Sequence, residues 1–450
     1  MAGRGEVRMP RALRALRTLA IAVGMVLIIP IAALAHARLK LTSPAAGAHL
    51  SAMPAELRLD FSETPALAFS TLRLVGPDGR DVPLGAVGYA ADSHRALVAR
   101  VAGSAAAGTY QVQWQSAGDD GHPVRGSFEF VVEGAPTMAH HDPVSMPTGG
   151  SFDVESPLFV LVRWMEFVSL LLAVGTVVFR EFVLRRALPG AFADIDARAV
   201  RVGVFAIAGL GASLVLRLLA QSLAMHGSSG ALDPALMSSM ITSTMWGHGW
   251  VVQLAGVAVA LVGFRRSRAM AALGVVTCAM SLSLSSHAAS VPSWRAATML
   301  ADGMHVLAAS AWLGTLCVML ISALPLPRFV TRAANGEQVR ALVASFSPVA
   351  LVSAGVASVT GVVAALQHVG SVPNLWGTRY GVVLLVKLAV LSVVTMTGFY
   401  NWRFVQPVLP ATAGVERLRH SAHVEAFVAL VVLLVTAVLV ALPTSMDAIR

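Results

Sequence analysis

The sequence predicts a chain of two parts, an all-β domain followed by an all-α polytopic membrane domain with about eight transmembrane helices. Three observations lead to this prediction. Hydrophobic residues make up 56% of the 450 residues and charged residues only 13%, which is outside the range of ordinary soluble domains. Residues 36–135 alternate apolar and polar side chains with a period of two. After Pro157, long apolar runs alternate with short loops that differ sharply in arginine content.

The first 35 residues have the composition of a secretory signal peptide. Five arginines from Arg4 to Arg17 precede the apolar run LAIAVGMVLIIPIAALA, and Ala33 and Ala35 give the small-x-small form of a cleavage site. Cleavage after Ala35 would make His36 the amino terminus. The alternative is an uncleaved anchor helix, in which His36 stays in mid-chain.

The segment 36–135 is predicted to form a small antiparallel β sandwich. Three stretches place apolar residues on one face of a strand, and turn signals such as SAMPAE and GPDGRD lie between strands. A segment of about a hundred residues can bury its own core without disulfides. The residues expected on the apolar strand faces are Leu57, Leu59, Phe61, Tyr110, Val112, Trp114, Phe128, Phe130 and Val132.

A linker over 136–156, rich in Pro, Gly, Ser, His and Met, is predicted to join the β domain to the membrane domain. The membrane domain extends over 157–442 in this prediction, and a short tail over 443–450 follows it. A helix needs roughly 20 residues to cross a bilayer. Cys278 and Cys317 lie inside apolar segments and are interpreted as membrane-core residues, not as a disulfide framework. The apolar segments long enough to span are 157–180, 200–222, 247–264, 269–287, 299–323, 344–366, 380–400 and 422–442.

Arginine content divides the loops between these segments into two classes. Four loops carry most of the arginines, whereas the alternate set carries only Arg295 and Arg379, with Arg450 at the C-terminus. By the positive-inside rule the arginine-rich loops are cytoplasmic. The β domain and the C-terminus are therefore predicted on the periplasmic side of a multi-pass protein of the inner membrane.

A candidate metal site combines the predicted amino terminus with the stretch SAGDDGHPV. Asp120 and His122 can converge on one ion if the chain turns at Gly121. A free amino-terminal His36 adds its α-amine and its ring nitrogen as a chelate. Two imidazoles, an amine and a carboxylate form a nitrogen-rich set that suits Cu(II). Without the amino-terminal histidine, Asp120 and His122 would be interpreted as an ordinary polar turn.

Two stretches, HARLKLTSPAAGAHLSAMPAELRLDFSE and WQSAGDDGHPVRGSFEFVV, resemble the CopC family of periplasmic copper-binding proteins. In the membrane part SHAAS, ADGMHVLAASAWLG, RYGVVLLVKLAVL and HVEAFVALVVLL resemble, in the same order, the CopD family of copper-resistance membrane proteins. The chain is thus similar to natural CopC–CopD fusions. This resemblance implies an Ig-like, CopC-type sandwich that binds Cu(II) through His36, Asp120 and His122. A second, methionine-rich Cu(I) site of some CopC proteins is expected to be absent, because the β domain contains only Met53.

Imidazole and thioether side chains also gather at the predicted outer side of the membrane domain. Such ligands suit Cu(I), although a single methionine in a membrane helix is more often a packing residue. Asp302 is expected to orient the ring of His305, three residues along the same helix face, or to pair with Lys387. The alternative is an ordinary hydrogen bond between helices. The candidate ligands are His226, His248, His287, His305, Met240 and Met245.

Together these patterns predict a copper-binding membrane protein that is not an enzyme. The exported domain would capture Cu(II), and the membrane domain would pass copper inward as Cu(I) or Cu(II), in support of copper homeostasis and resistance. Copper ions, the lipid bilayer and other periplasmic copper chaperones are the expected partners. Nucleic acid is excluded because the net charge of +9 is spread over separate loops. The alternatives are a membrane redox enzyme and a copper sensor or sequestering protein without transport.

Overall fold

The computed structural model describes residues 39–62, 64–102, 106–118, 123–133, 155–187, 193–285, 295–323, 333–408, 412–442 and 444–445. An all-β domain is followed by a helical domain, as the sequence predicts. The signal segment 1–35 and the linker as far as residue 154 lie outside the described residues.

The β domain consists of two sheets. The four-stranded sheet has the order β1-β3-β7-β6, and the five-stranded sheet has the order β2-β9-β8-β4-β5. All strand pairs are antiparallel except β2 with β9. The strands are β1 Leu39–Ser43, β2 His49–Leu50, β3 Glu56–Phe61, β4 Thr71–Val75, β5 Asp81–Val82, β6 Gly88–Ala90, β7 Ser93–Arg100, β8 Gly108–Ala117 and β9 Pro123–Val132.

The core of the β domain lies between the two sheets. Every residue predicted on the apolar strand faces is buried there, and none is more than 9% exposed. Phe61 of β3 meets Trp114 of β8 edge-to-face, with 5.5 Å between ring centroids. The period-two pattern therefore predicts this core correctly, because a strand alternates its side chains between two faces.

The membrane domain contains ten helices in the part of the chain that the structure describes. A helical segment that follows a π-helical turn is counted here with the helix before it. α1 continues through a π-helical turn, Phe179–Leu184, into the segment Arg185–Ala187, and α9 through another turn, Asn401–Val405. α6 continues through a π-helical turn, Ser310–Gly314, into the helical segment Thr315–Ser322. The helices are α1 Pro157–Val178, α2 Ala193–Gly230, α3 Pro234–Ser243, α4 Met245–Arg266, α5 Arg268–Ser281, α6 Arg295–Ala309, α7 Ala333–Val369, α8 Asn374–Gly377, α9 Arg379–Tyr400 and α10 Thr412–Ala441.

Eight helical segments are long and apolar enough to cross a membrane, by length and composition, which agrees with the predicted number. They belong to α1, α2, α4, α5, α6, α7, α9 and α10. Several begin at a polar residue that caps the helix. The Thr244 hydroxyl accepts from Gly247 N at 2.9 Å before α4, and the Thr378 hydroxyl accepts from Gly381 N at 3.1 Å before α9.

Helix α1 lies at the centre of the helical domain. It packs against α2 and α5 on one side and against α6 and α10 on the other. Gly314, in the π-helical turn of α6, touches the carbonyl of Leu171 on α1, so a side chain there would have no space. The two cysteines are buried free thiols within this helical domain, as predicted.

The two ends of the helical domain differ in charge. At one end Arg180 forms a two-point ion pair with Asp196, at 2.7 and 2.9 Å, and Arg268 lies 3.5 Å from Glu181. These pairs connect α1, α2 and α5 at the arginine-rich end. The β domain contacts the opposite end, near the end of α2 and the start of α4.

Candidate functional site

The predicted metal ligands of the β domain, His36, Asp120 and His122, lie outside the described residues. The strand ends that lead to them are described. β8 ends at Ala117 and β9 begins at Pro123, and these two residues pair with each other. In the sequence, Asp120 and His122 lie between these two strand ends.

The strand that follows His36 begins at the same end of the sandwich. β1 starts at Leu39, which pairs with Phe61, and Phe61 contacts Trp114 near the end of β8. A span of three residues reaches about 10 Å when extended. The fold therefore brings the start of β1 and the paired ends of β8 and β9 to one end of the domain.

This end of the β domain rests on the membrane domain. Gln115 Nε2 donates to the carbonyl of Met225 at 3.0 Å, and Arg125 Nη2 donates to the carbonyl of Ala224 at 3.0 Å. Arg125 Nε also donates to Gln115 Oε1 at 2.9 Å, which fixes the two side chains relative to each other. We call this contact between the two domains the docking interface.

Both accepting carbonyls lie in the last turns of α2. The helix is kinked at Gly227, whose φ is +68°, a conformation that glycine adopts without strain. Carbonyls at the end of a helix lack partners within the helix and carry the negative end of its dipole. Gln115 and Arg125 supply these partners, and the guanidinium adds a favourable charge.

An apolar cluster forms the rest of the docking interface. Phe69, in the short 3₁₀ turn Leu67–Phe69, is 1% exposed and packs in a cluster with Met225, Met240 and Trp246 of the membrane domain. The β domain contributes two further buried residues to this cluster, Ala66 and Ala117. The Ala66 N–H donates to the Ala117 carbonyl at 2.9 Å, so the turn is fixed to the end of β8.

The predicted outer ligands of the membrane domain have different surroundings. His226 lies in the docking interface, with Nε2 3.1 Å from the Ala68 carbonyl and Nδ1 3.2 Å from the Ser222 hydroxyl. Met240 is buried in the same interface, and Met245, the first residue of α4, is half-buried. His248 is exposed and lies 3.0 Å from the Thr242 carbonyl. His287 lies outside the described residues.

His305 lies deeper, between α6 and α7. Its Nδ1 is 2.9 Å from the Ala357 carbonyl and 3.1 Å from the Thr360 hydroxyl. A carbonyl only accepts, so Nδ1 carries the proton and Nε2 carries the lone pair. A backbone carbonyl that fixes one ring nitrogen in this way is a common arrangement of histidines that bind metal through the other nitrogen. The orienting groups are thus Ala357 and Thr360, where the sequence suggests Asp302.

Asp302 instead interacts electrostatically with Lys387, which also acts on His305. Asp302 follows the first residue of α6 by seven positions and Lys387 follows that of α9 by eight, which places both about 11–12 Å from the ends at which these helices begin. Opposite charges that act on each other at this depth offset part of the cost of placing either in hydrocarbon. Among the described residues, no group of three or more His, Cys, Asp or Glu side chains is arranged to hold a metal ion.

A buried charge network under the docking interface is more extensive than the sequence analysis predicts. Glu166 Oε1 accepts from Arg217 Nη1 at 2.8 Å and from Gln253 Nε2 at 3.0 Å. Arg217 also lies over the ring of Trp246, 5.5 Å from its centroid, and donates to Ser285. The sequence contains a signal for this pair. Arg217 lies in the middle of one apolar run, and Glu166 is a lone glutamate in the apolar run before it.

A second buried carboxyl lies at the arginine-rich end. Glu425 of α10 is 6% exposed, and its Oε1 accepts from Asn401 Nδ2 at 2.6 Å. Asn401 Oδ1 in turn accepts from the Ser421 hydroxyl at 2.6 Å. In the sequence Glu425 is an acidic residue near the start of the last apolar run, and the signal for its partner, a lone asparagine just after α9, is weak.

Sequence profiles of three protein families match the chain. The profile of the CopC domain matches residues 39–133. The profile of the copper resistance protein D-like N-terminal domain matches residues 153–297, and that of copper resistance protein D matches residues 340–439. The matched regions cover the β domain, the first four spanning helices and the last three.

Individual proteins and a solved structure are also similar to the chain. The chain is 24% identical over 432 residues to the copper transport protein CutJ of Bacillus subtilis, covering 92% of this chain and 76% of CutJ. It is 33% identical over 104 residues to copper resistance protein C of Pseudomonas syringae pv. tomato, covering 22% of this chain and 82% of that relative. The crystal structure of CopC from Methylosinus trichosporium OB3b matches 23% of this chain and 99% of its own, at 29% identity and a TM-score of 0.21.

Proposed function

Because the chain belongs to the copper-resistance proteins that join a CopC domain to a CopD membrane domain, we propose that it captures Cu(II) on the β domain and passes copper to the membrane domain for import. A role in copper transport or resistance follows from the relatives that match the chain. His36, through its amine and ring, Asp120 and His122 would hold the captured ion.

The docking interface is the observation that carries this proposal. The end of the β domain that leads to Asp120 and His122 rests on the membrane domain, where Ala117 packs among Met225, Met240 and Trp246. Copper released from the β domain would meet imidazole and thioether groups directly. Transfer of copper between the two domains would then need only ligand exchange over a short distance, without diffusion of the ion through solvent.

His305 is the proposed ligand inside the membrane. Its Nε2 lone pair is free of any hydrogen bond from the described residues, and its Nδ1 is fixed by the Ala357 carbonyl. Lys387 acts on His305 and Asp302 acts on Lys387, so the carboxylate would offset part of the repulsion between this lysine and an arriving copper cation. His226 would take part only after its bond to the Ala68 carbonyl is broken, because a metal needs one of its ring nitrogens.

The proposed orientation places the β domain and the C-terminus outside a multi-pass protein of the inner membrane. The arginine-rich helix ends, where Arg180 pairs with Asp196, would face the cytoplasm. Cleavage after Ala35 would expose the amine of His36, so the Cu(II) site would be complete only after export.

Copper accumulation in cells that express the full chain tests the proposal. We expect His305→Ala to lower accumulation at least about tenfold, because even groups that merely orient a metal ligand contribute about 10- to 100-fold. His420→Ala is the matched control, since His420 is an exposed histidine on α10. Equal accumulation by the wild type and His305→Ala would remove His305 from the path.

A second pair of variants separates capture from passage. His122→Ala should abolish tight Cu(II) binding by the β domain, whereas His49→Ala should not, since His49 is exposed and pairs with Val131, at the end of β9 opposite its start at Pro123. Both are measured by Cu(II) titration of the purified full chain against a competing chelator. Normal binding by His122→Ala would refute the proposed ligand set.

A further inference from the structure

The Glu425 carboxyl is buried in the part of the membrane domain that lies nearest the arginine-rich end. Glu425 follows Arg417 by eight residues on α10, which is about 12 Å along the helix. Its side chain is buried between α10 and the end of α9. A carboxylate at this position would carry an uncompensated charge in a low-dielectric region, which is costly.

The hydrogen bonds around Glu425 suit a neutral carboxylic acid. Asn401 donates to Oε1, which fits the carbonyl oxygen of the acid. The Thr397 hydroxyl is a further neighbour, and it also lies 2.9 and 3.0 Å from the carbonyls of Val393 and Val394. When the hydroxyl donates to one of these carbonyls, it still has a lone pair that can accept from a protonated carboxyl.

No cation compensates this carboxyl within the described residues. None of the titratable or charged groups on the elements packed around it forms an ion pair or hydrogen bond with Glu425. Arg180 and Arg340 have acidic partners of their own, and Cys317 is a buried thiol. The groups concerned are His420, His423, Arg417 and Arg419 on α10, Arg403 on α9, Cys317 on α6, Arg180 on α1 and Arg340 on α7.

The backbone beside Glu425 is locally unwound. Asn401 begins the π-helical turn of α9, in which the N–H of Gln406 bonds to the carbonyl of Asn401, five residues earlier. Such turns are frequent at functional sites because the extra residue loosens the regular hydrogen-bond ladder. The partner of the carboxyl therefore lies on a segment that can shift without breaking a complete helix.

We propose that Glu425 is a proton-exchange site that is protonated without copper and releases its proton when a copper cation reaches the inner half of the membrane domain. The O–H bond of the acid breaks, its electron pair stays on the carboxylate, and the proton leaves to cytoplasmic water. The new negative charge compensates the arriving cation. The exchange step rests on the proposed function, whereas the protonated resting state of Glu425 does not.

Infrared spectroscopy of the full chain in lipid nanodiscs tests the resting state. We expect the carbonyl band of a protonated carboxylic acid in the copper-free wild type, its loss in Glu425→Gln and its retention in Glu337→Gln. Glu337 is a matched exposed glutamate at the same end of the membrane domain. Thr397→Val keeps the acid but removes its acceptor, so the band should move to higher frequency. A wild-type spectrum without a band that depends on Glu425 would overturn the proposal.

Proton release on copper addition tests the exchange. In weakly buffered solution with an indicator dye, the wild type should release about one proton per chain more than Glu425→Gln, because a charge-compensating carboxyl must lose its proton when the metal arrives. Equal release by both would overturn the exchange. Copper uptake into proteoliposomes separates the two proposals: uptake with equal proton release refutes the exchange alone. Extra proton release without uptake supports the exchange and refutes import.

Discussion

Replacing Phe69 by alanine should separate the β domain from the membrane domain without touching a copper ligand. Truncating a buried phenylalanine costs about 3–5 kcal/mol in a core. Part of the burial of Phe69 comes from its own domain, so we take the lower value of about 2 kcal/mol that is typical of a residue central to an interface. At 1.4 kcal/mol per factor of ten, the equilibrium for docking should fall roughly 30-fold.

Crosslinking measures this equilibrium directly. Gln115→Cys and Met225→Cys place two thiols across the docking interface, where the Gln115 amide lies 3.9 Å from the Met225 sulfur. The two native cysteines are buried and should not react. Phe69→Ala should slow crosslinking and lower copper uptake at limiting copper. Leu67→Ala, an exposed residue of the same turn, should change neither.

The result that refutes this reasoning is normal crosslinking in Phe69→Ala. It would mean that the apolar cluster contributes little to docking and that the remaining contacts, among them the hydrogen bond of Arg125 to the Ala224 carbonyl, suffice in the crosslinking variant. Cu(II) binding by the variant serves as the check on folding, because a β domain that still binds Cu(II) tightly has kept its fold.

Three further predictions concern other parts of the chain. One extra alanine before the mature amino terminus should weaken Cu(II) binding about 10- to 100-fold in a chelator titration; unchanged affinity would exclude the terminal amine as a ligand. Hydrogen bonds from Arg58 hold the pKa of Asp60 and of Asp92 below the usual value of 3.8. The interaction of these two carboxylates with Arg58 therefore stabilises the folded protein at a pH above the pKa that the carboxyls have in the unfolded chain. This stabilisation is lost as the pH falls through their lowered pKa values in the folded protein. Arg58→Met should thus lower the denaturation midpoint above the aspartate range and leave it nearly unchanged at acid pH. Gly314→Leu should cost about 1–3 kcal/mol by overpacking and lower the melting temperature in detergent, whereas Gly398→Leu, at a position with open space, should not.

The sequence predicts the two-part fold because each part obeys a local rule. Leu57 and Leu59 alternate with polar residues along one strand, and that pattern alone determines which face is buried. The eight spanning segments follow in the same way from their length and apolar composition. Neither rule depends on which elements meet, so both can be applied before any tertiary contact is known.

The contacts between distant elements could not be predicted in this way. Gln115 and Arg125 are ordinary polar residues of β strands until the end of α2 is placed against them. His305 is a predicted ligand because it lies near the outer end of an apolar segment on the same helix face as Asp302, yet its orienting carbonyl belongs to Ala357, 52 residues away. Backbone acceptors have no side-chain signature, and a sequence pattern cannot show where an unpaired carbonyl points.

The way the β domain caps the end of α2 has a consequence for how such a two-domain chain can evolve. Two of its polar contacts use the main-chain carbonyls of Ala224 and Met225, which every side chain at those positions would also provide. The contact of His226 with the Ala68 carbonyl, in contrast, depends on a side chain of the membrane domain. Substitutions at positions 224 and 225 can therefore accumulate without loss of the first two bonds. A soluble β domain could acquire those two bonds by changing two strand residues, with no matching change in its membrane partner.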